Sequence, residues 1–333
     1  MFTVFTVVIT LAVAFVNGWT DAPNAIASCV STRTVKLKHA VILAAVADFT
    51  GALTIGLASG KVTETVMNIA DFGTDSKKSV IALCSAMISV VIWAISAWRF
   101  GIPTSESHAL IAGLTGASVA VNNGFVGVNI NEWVKVISGL CLSTFLGFFA
   151  GYAMSKLTVK LYSESEKAKS DSVFKNSLVA SSVLMAFMHG AQDSQKFAGI
   201  LAIVFSLSGF ESALTESFAI LILISSAAIA FGTATGGERI IKAVGMDMVK
   251  LRKDQGFSAD ISGALCLLIS TLFGLPVSTT HTKTSAILGV GVSKSIKSVD
   301  WSVAAEMVAA WLFTFPGCGL IGFITAKCFM MLW

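Results

Sequence analysis

Apolar stretches that approach or reach bilayer-spanning length recur along the whole of this 333-residue chain, at 41–57, 80–98, 136–157, 218–231 and 303–315 among others. A membrane-crossing helix takes about 20 such residues, so the chain has no soluble way to hide this much apolar surface. Composition agrees: 13% of the residues are charged and 55% hydrophobic, against roughly 25% charged in soluble domains. The reading is an all-α, multi-pass protein of the cell membrane. The formal charge of +4 then reports basic loops rather than a nucleic-acid surface, and no nucleic-acid partner is expected. The first apolar run has neither a basic n-region nor a small-residue cleavage site, so it is expected to be a retained helix. Six cysteines stand singly, without Cys-x-x-Cys spacing; they read as packing residues, and no cofactor is expected.

The chain is also a duplication. GWTDAPNA, from Gly18, has a counterpart in GAQDSQKF, from Gly190, which aligns Asp21 with Asp193 and Asn24 with Lys196. IPTSESHALIAGLTGA, from Ile102, has one in LPVSTTHTKTSAILGV, from Leu275. That match aligns Pro103 with Pro276, Ser105 with Ser278, Ser107 with Thr280, His108 with His281 and Gly116 with Gly289. Both matches stand at nearly the same offset, so one duplication accounts for both. Each half divides into about five apolar segments: 2–31, 39–59, 79–98, 102–121 and 133–156, then 176–206, 214–235, 258–275, 276–292 and 301–332.

An odd number of segments inverts the second half relative to the first. The organisation expected is a first inverted repeat over 1–157, a polar cytoplasmic linker over 158–175 and a second inverted repeat over 176–333, with broken or re-entrant helices at the motifs. Basic residues, which concentrate in cytoplasmic loops, fit this arrangement. Arg33, Lys36, Arg99, Lys156, Arg239, Arg252, Lys297 and most others fall on one side, and only Lys61, Lys77 and Lys78 on the other. Both termini are then expected outside. The IIKAVG portion of the second basic loop is expected to form an amphipathic interfacial helix.

Polar residues inside a membrane are expensive unless they face protein or water, and a pseudo-two-fold would bring Asp21 and Asp193 toward one centre. The plainer alternative, an aspartate capping a broken helix, does not require the same residue in both halves. PTSES and PVSTT place the hydroxyls of Thr104, Ser105 and Ser107, and of Ser278, Thr279 and Thr280, close behind a proline. Proline at a first helical position leaves backbone N–H groups free beside a partial positive charge. Two such half-helices facing each other make an anion cradle; ordinary capped helix starts are the alternative.

Carboxylates beside an anion repel it unless cations or protons intervene, and that requirement is the physical basis of symport. Asp21, Asn24, Gln192 and Asp193 can offer oxygens to a hard cation such as sodium; a proton needs only a carboxylate. Lys196 and Lys283 either bring an ammonium to the anion or form structural ion pairs. Glu106, whose repeat partner is Thr279, titrates, pairs with a lysine or lies exposed at a helix end. His108, His189 and His281 either carry protons or pack, and spacing alone assembles no zinc site. An intramembrane hydrolase using Ser105 or Ser278 with a histidine is disfavoured, because a nucleophile needs one site and here there are two half-sites. A channel is disfavoured because broken helices around a charged centre suit alternating access.

In these four motifs the chain resembles the inorganic phosphate transporter (PiT) family of secondary carriers. GWTDAPNAIAS is similar to the family's first signature, commonly Gly-x-Asn-Asp-x-x-Asn-Ala, and HGAQDSQKFAGI to its second copy. PTSESHALIAGLTGA and PVSTTHTKTSAILGVG are similar to the paired Pro-x-Ser-x-Ser/Thr-His motifs, and the resemblance runs from about residue 10 to 330. It implies an inverted-repeat symporter that imports inorganic phosphate, or sulfate in some members, coupled to sodium in some and to protons in others. Phosphate is then expected between the hydroxyl-bearing half-helices, with Lys196 and Lys283 as further contacts. Cations are expected beside the acidic motifs, with Asp21, Asn24 and Asp193 as the ligands if sodium is used. Thr20 and Gln192 replace the asparagine usual before each aspartate, and Glu106 stands where small residues are usual. Lys196 can fill a sodium subsite with its own charge, which favours protons. Homo-oligomerisation is left open.

Overall fold

The computed structural model describes residues 2–73, 75–100, 104–163, 167–208 and 211–332. Pro103 and residues 164–166 of the 158–175 stretch lie outside the described residues. Among the described residues the first half runs α1 (Phe2–Thr20), α2 (Pro23–Ser31), α3 (Leu37–Gly51), α4 (Leu57–Ser59), α5 (Lys61–Met67), α6 (Ser76–Phe100), α7 (Glu106–Asn122) and α8 (Ile130–Tyr162). The second runs α9 (Lys167–Leu207), α10 (Glu211–Ala234), α11 (Glu238–Lys242), α12 (Lys253–Leu272), α13 (Thr279–Lys294) and α14 (Trp301–Leu332). No strand forms among them, only isolated bridges at Ala70–Val128 and Val249–Val299.

Six helices are long and apolar enough to cross a membrane, with α1 and α2 together as Thr3–Ser31. A seventh is added if α10 and the segment after it, bent by 70°, form one span. The other expected segments fall below that standard for local reasons. Helices α7 and α13 have 17 and 16 residues, short of the 20 or so that span a bilayer. Helix α9 carries His189, Gln192, Asp193, Gln195 and Lys196 in its length, all buried by protein. The chain is a multi-pass membrane protein.

The break expected at both acidic motifs occurs at one. Pro23 sits at the start of α2, where its missing N–H and fixed φ end the ladder of α1 and begin a new helix. GAQDSQKF has no proline, and α9 passes through Asp193 without interruption. The starts of α7 and α13 are set by Ser105 and Ser278, whose Oγ atoms accept from the backbone N–H of His108 and His281 at 3.2 and 3.1 Å. Helix also claims most of the polar 158–175 stretch, because α8 reaches Tyr162 and α9 begins at Lys167. The IIKAVG segment is amphipathic, yet Ile240, Ile241 and Val244 turn into the protein core and α11 packs on α2. Its apolar face is met by protein rather than lipid.

The two halves interlock instead of standing side by side. Helix α1 packs on α10 and α9 on α3; α7 packs on α14 and α13 on α8. These are the same contacts made twice with the halves exchanged, as a two-fold between repeats requires. A Cβ on Gly18 would lie 1.9 Å from Ile229 O, and one on Gly190 2.0 Å from Asp48 O. Gly116 and Gly289 approach Gly319 O and Phe148 O in the same way, each at 1.9 Å from an added Cβ. Backbones in membranes approach this closely only through small residues. Two lateral bundles result, α1/α6/α7/α14 and α9/α12/α13/α8, and each takes its last helix from the other half.

Loop contacts define the two faces. Arg239 donates to Arg99 O at 3.0 Å, and Lys253 pairs with Asp171 at 2.6 Å, on the basic face. Two lysines beyond the three expected sit toward the opposite face. Lys135 pairs with Glu132 at 2.7 Å near the start of α8, and Lys327 donates to Asn123 at the end of α7. The basic bias remains, since most other lysines and arginines lie on the first face.

Candidate functional site

The short connection Asp21–Ala22 between α1 and α2 presents a carboxylate at the middle of the protein. Thr280 Oγ1 donates to Asp21 Oδ1 at 3.0 Å. The backbone N–H of Glu106 and the amide of Asn17 each approach Asp21 Oδ2 at 3.5 Å. Asp193, on unbroken α9, receives Lys196 Nζ on Oδ1 at 2.6 Å and Asn17 Nδ2 on Oδ2 at 2.9 Å. The duplicated acids therefore meet, and the single amide of Asn17 reaches both. Both carboxylates are buried, Asp21 at 4% exposure and Asp193 at 0%.

The hydroxyl motifs cross to the opposite acidic motifs. Asn24 Nδ2 donates to Thr280 Oγ1 at 3.0 Å, and Lys196 Nζ donates to Ser107 Oγ at 2.5 Å. Asn24 and Lys196 are repeat equivalents, as are Thr280 and Ser107, so this is one contact realised twice. Lys196 also donates to Val277 O at 2.9 Å. Gln192 turns its nitrogen to Leu275 O at 2.8 Å, just ahead of α13. Oxygens are left over: Asn17 Oδ1, Asn24 Oδ1, Gln192 Oε1 and Thr279 Oγ1 are buried without a partner. Thr104 is buried beside them in sequence, and Ser105 and Ser278 spend one lone pair as helix caps while their hydroxyl hydrogens remain to donate.

Glu106 is inside the site. Its side chain is bonded by the Thr20 hydroxyl, and its Oε2 has no partner. The exposed helix-end alternative is excluded by its 2% exposure. Lys283, by contrast, stands apart from the other candidates, paired with Asp260 and donating to Ser28 Oγ at 3.0 Å. His108 and His281 pack ring against ring at 4.5 Å, stacked on Phe315 and Trp311. Their ring nitrogens have no hydrogen-bond partner, and the serine hydroxyls bond their main-chain N–H groups instead. No serine–imidazole pair is present at either motif, so the hydrolase alternative has no nucleophile and base in reach.

Sequence reasoning missed Asn17 and Asp48. Asn17 was discoverable: it precedes Gly18 as His189 precedes Gly190, and each lies four residues before its aspartate. Asp48 has no partner in any repeated motif, so nothing marked it. Its Oδ1 lies 3.0 Å from His189 Nδ1, and Thr233 donates to its other oxygen at 2.7 Å. His189 Nε2 in turn stands 3.5 Å from Asp193 Oδ2. Among the described residues no cluster of three or more His, Cys, Asp or Glu could hold a metal ion.

The family model for phosphate transporters matches residues 17–322. The chain belongs to the phosphate transporter family. Relatives in this transporter family cover nearly the whole of it. A probable low-affinity inorganic phosphate transporter of Bacillus subtilis is 35% identical over 322 residues, covering 97% of this chain and 95% of its own length. One described in the same words from Rhizobium meliloti is 37% identical over 311 residues, covering 92% and 90%. A solved structure described as the sodium-dependent phosphate transporter shares the fold, with a TM-score of 0.89, 20% identity and 100% coverage of both chains. The role of a phosphate transporter family member is transport rather than catalysis.

Proposed function

We propose that the protein imports inorganic phosphate by alternating access and that protons are the coupling ions. The observation that carries the coupling assignment is the 2.6 Å contact of Lys196 with Asp193. The amino group of Lys196 occupies the place where the second copy of the motif would otherwise take a cation. In the first copy the equivalent residue is neutral Asn24, and Asp21 has no lysine or arginine against it among its hydrogen-bond partners.

The buried centre holds Asp21, Asp48, Glu106 and Asp193 against one lysine, Lys196, and one imidazole in contact, His189. Admitting an anion to this low-dielectric region requires further positive charge. Protons on Asp21 and Glu106 supply it and convert both acids into donors. The anion's oxygens then meet Lys196 and the hydroxyls of Ser107, Thr279 and Thr280, with the N-termini of α7 and α13 adding their partial charge. Monobasic phosphate also donates to a carboxylate, which sulfate cannot do, and this favours phosphate over sulfate. One observation favours sodium instead: Asn17, Asn24 and Gln192 leave buried carbonyl oxygens unpartnered near Asp21 and Asp193, and hard cations take such ligands.

Uptake of radiolabelled phosphate into proteoliposomes tests the proposal, with a pH gradient and a sodium gradient imposed separately. Uptake is expected with the proton gradient alone. Uptake with sodium alone would replace the coupling ion, and uptake under neither would end the transport assignment. Competition by sulfate should be weak.

A further inference from the structure

A second buried ionic cluster lies outside the central site and has no task in the transport scheme above. Lys283 of α13 is paired with Asp260 of α12 and donates to Ser28 Oγ of α2. Asp260 accepts from Ser28 on Oδ1, and on Oδ2 from Ser182 at 2.5 Å and Ser181 at 3.4 Å, both on α9. None of these five side chains is more than 2% exposed.

One ammonium and three hydroxyls converging on a single carboxylate form the donor set from which oxyanion sites are built. Stability alone does not call for it, because apolar groups of similar volume often replace a buried ion pair without loss. The duplication makes that comparison within the molecule. The repeat equivalent of Lys283 is Leu110, which sits in an apolar cluster. The ionic cluster is therefore peculiar to one half, and inversion places it on one side of the central site.

That side leads to the basic face. Lys283 lies one turn beyond Thr280, which touches Asp21, and α13 continues from there to Lys294 near the Val249–Val299 bridge. Just past the end of α2, Thr32 lies one turn beyond Ser28 and donates to its carbonyl at 2.8 Å. Thr32 also lines a cavity of about 530 Å³ on the basic face, together with Arg252 and Lys253. The cluster thus stands between the central site and an open vestibule, in which Arg252 and Lys253 are paired with Asp254 and Asp171.

The geometry points to a second anion subsite, an exit station for inorganic phosphate in which the Asp260 carboxylate holds the anion's place while the passage is closed. Phosphate leaving the central site displaces Asp260 from Lys283 and the three serines, and Asp260 displaces it in turn toward the vestibule. The charge of Lys283 stays compensated throughout. This inference rests on the phosphate-transport reading.

Removing the carboxylate should leave the donors to a free anion. Equilibrium binding of radiolabelled phosphate to the purified full chain in detergent, at saturating phosphate, reads the number of sites. Wild type is expected to bind about one equivalent and Asp260→Ala about two, because an unpaired buried ammonium demands a counter-ion. Asp260→Asn, which keeps the size of the side chain and one acceptor oxygen for the serines, is expected to match Asp260→Ala, and it carries the test if the alanine variant does not fold. The double variant Asp260→Ala with Lys283→Leu, which restores the residue found in the first half, should return to about one equivalent. A wild-type stoichiometry in the folded single variants, or an extra equivalent that survives in the double variant, overturns the subsite. A wild type that binds no phosphate overturns the transport reading instead.

Discussion

The ammonium of Lys196 stands 2.6 Å from Asp193 Oδ1, whereas Asn24, its counterpart beside Asp21, turns its amide to Thr280 at 3.0 Å. Duplication has produced two acids in one centre, and only one of them owns a fixed counter-charge. The proposed proton coupling rests on that difference.

Lys196→Asn should make the second copy resemble the first. Asp193 then lacks its cation, and leaving one member of a buried pair alone costs about 3–5 kcal/mol. Uptake at neutral pH in sodium-free buffer is expected to fall at least about tenfold, the equivalent of about 1.4 kcal/mol, and to recover in part as sodium is added. A sodium titration of proteoliposome uptake checks this, and an unaltered sodium response would count against Lys196 as a built-in cation.

The two acids should fail differently when neutralised. Asp21→Asn keeps the size of the side chain and strands no lysine, so the thermal midpoint in detergent should stay close to wild type. Uptake should nevertheless drop on the order of 100-fold, about 2.7 kcal/mol. Asp193→Asn strands Lys196 and should lose stability by about 3–5 kcal/mol as well as transport. Equal thermal midpoints for the two variants would contradict the asymmetric pairing.

Hydroxyls that look alike in the motifs divide by task. Ser105 caps α7, and Ser105→Ala is expected to cost about 1 kcal/mol of stability together with any contribution of its hydroxyl hydrogen to the anion. Ser107 accepts from Lys196, and Ser107→Ala is expected to raise the KM for phosphate up to about tenfold, about 1.5 kcal/mol, with little change in thermal midpoint. Melting curves and uptake kinetics on the same preparations separate the two effects.

Helix crossings at equivalent glycines should be equally intolerant. Gly116→Ala and Gly289→Ala each drive a Cβ to 1.9 Å from a facing carbonyl oxygen and should each destabilise by about 1–3 kcal/mol. Gly124, with nothing within 4 Å of an added Cβ, is the control and should change by less than about 0.5 kcal/mol on substitution by alanine. Thermal unfolding in detergent measures all three.

Much of this was legible in one dimension. Matched motifs at nearly the same offset exposed the duplication, and the excess of basic residues in alternate loops fitted its inversion. Polar residues inside apolar segments marked Asp21, Asp193 and the hydroxyl motifs, because a membrane tolerates such groups only where protein or water receives them. The alignment of Asn24 with Lys196 was already visible as a difference between the copies, and with it the expectation that the two cation subsites are not equivalent. Pro23 accounts for a helix break at the first motif, and its absence from GAQDSQKF accounts for the continuous α9.

What only the tertiary structure decided is which polar group serves which neighbour. Lys196 and Lys283 are both lysines within repeated motifs, yet one reaches the central acids and the other is held by Asp260, a residue outside every motif. Glu106 was undetermined in sequence and is buried against Thr20. Asp48 joins the centre only through the packing of α3 on α9, and Asn17, close to Asp21 along the chain, reaches Asp193 by the same folding. The physical reason is the interlocking of the halves: Asn17–Asp193, Asn24–Thr280, Thr280–Asp21, Lys196–Ser107 and His189–Asp48 each join different repeats, two of them across more than 250 positions. Sequence determines that a chain must bury these charges in a membrane, because its apolar segments and duplicated motifs leave no alternative. The packing of α2 and α3 on α9, and of α13 on α2 and α12, determines which charges meet.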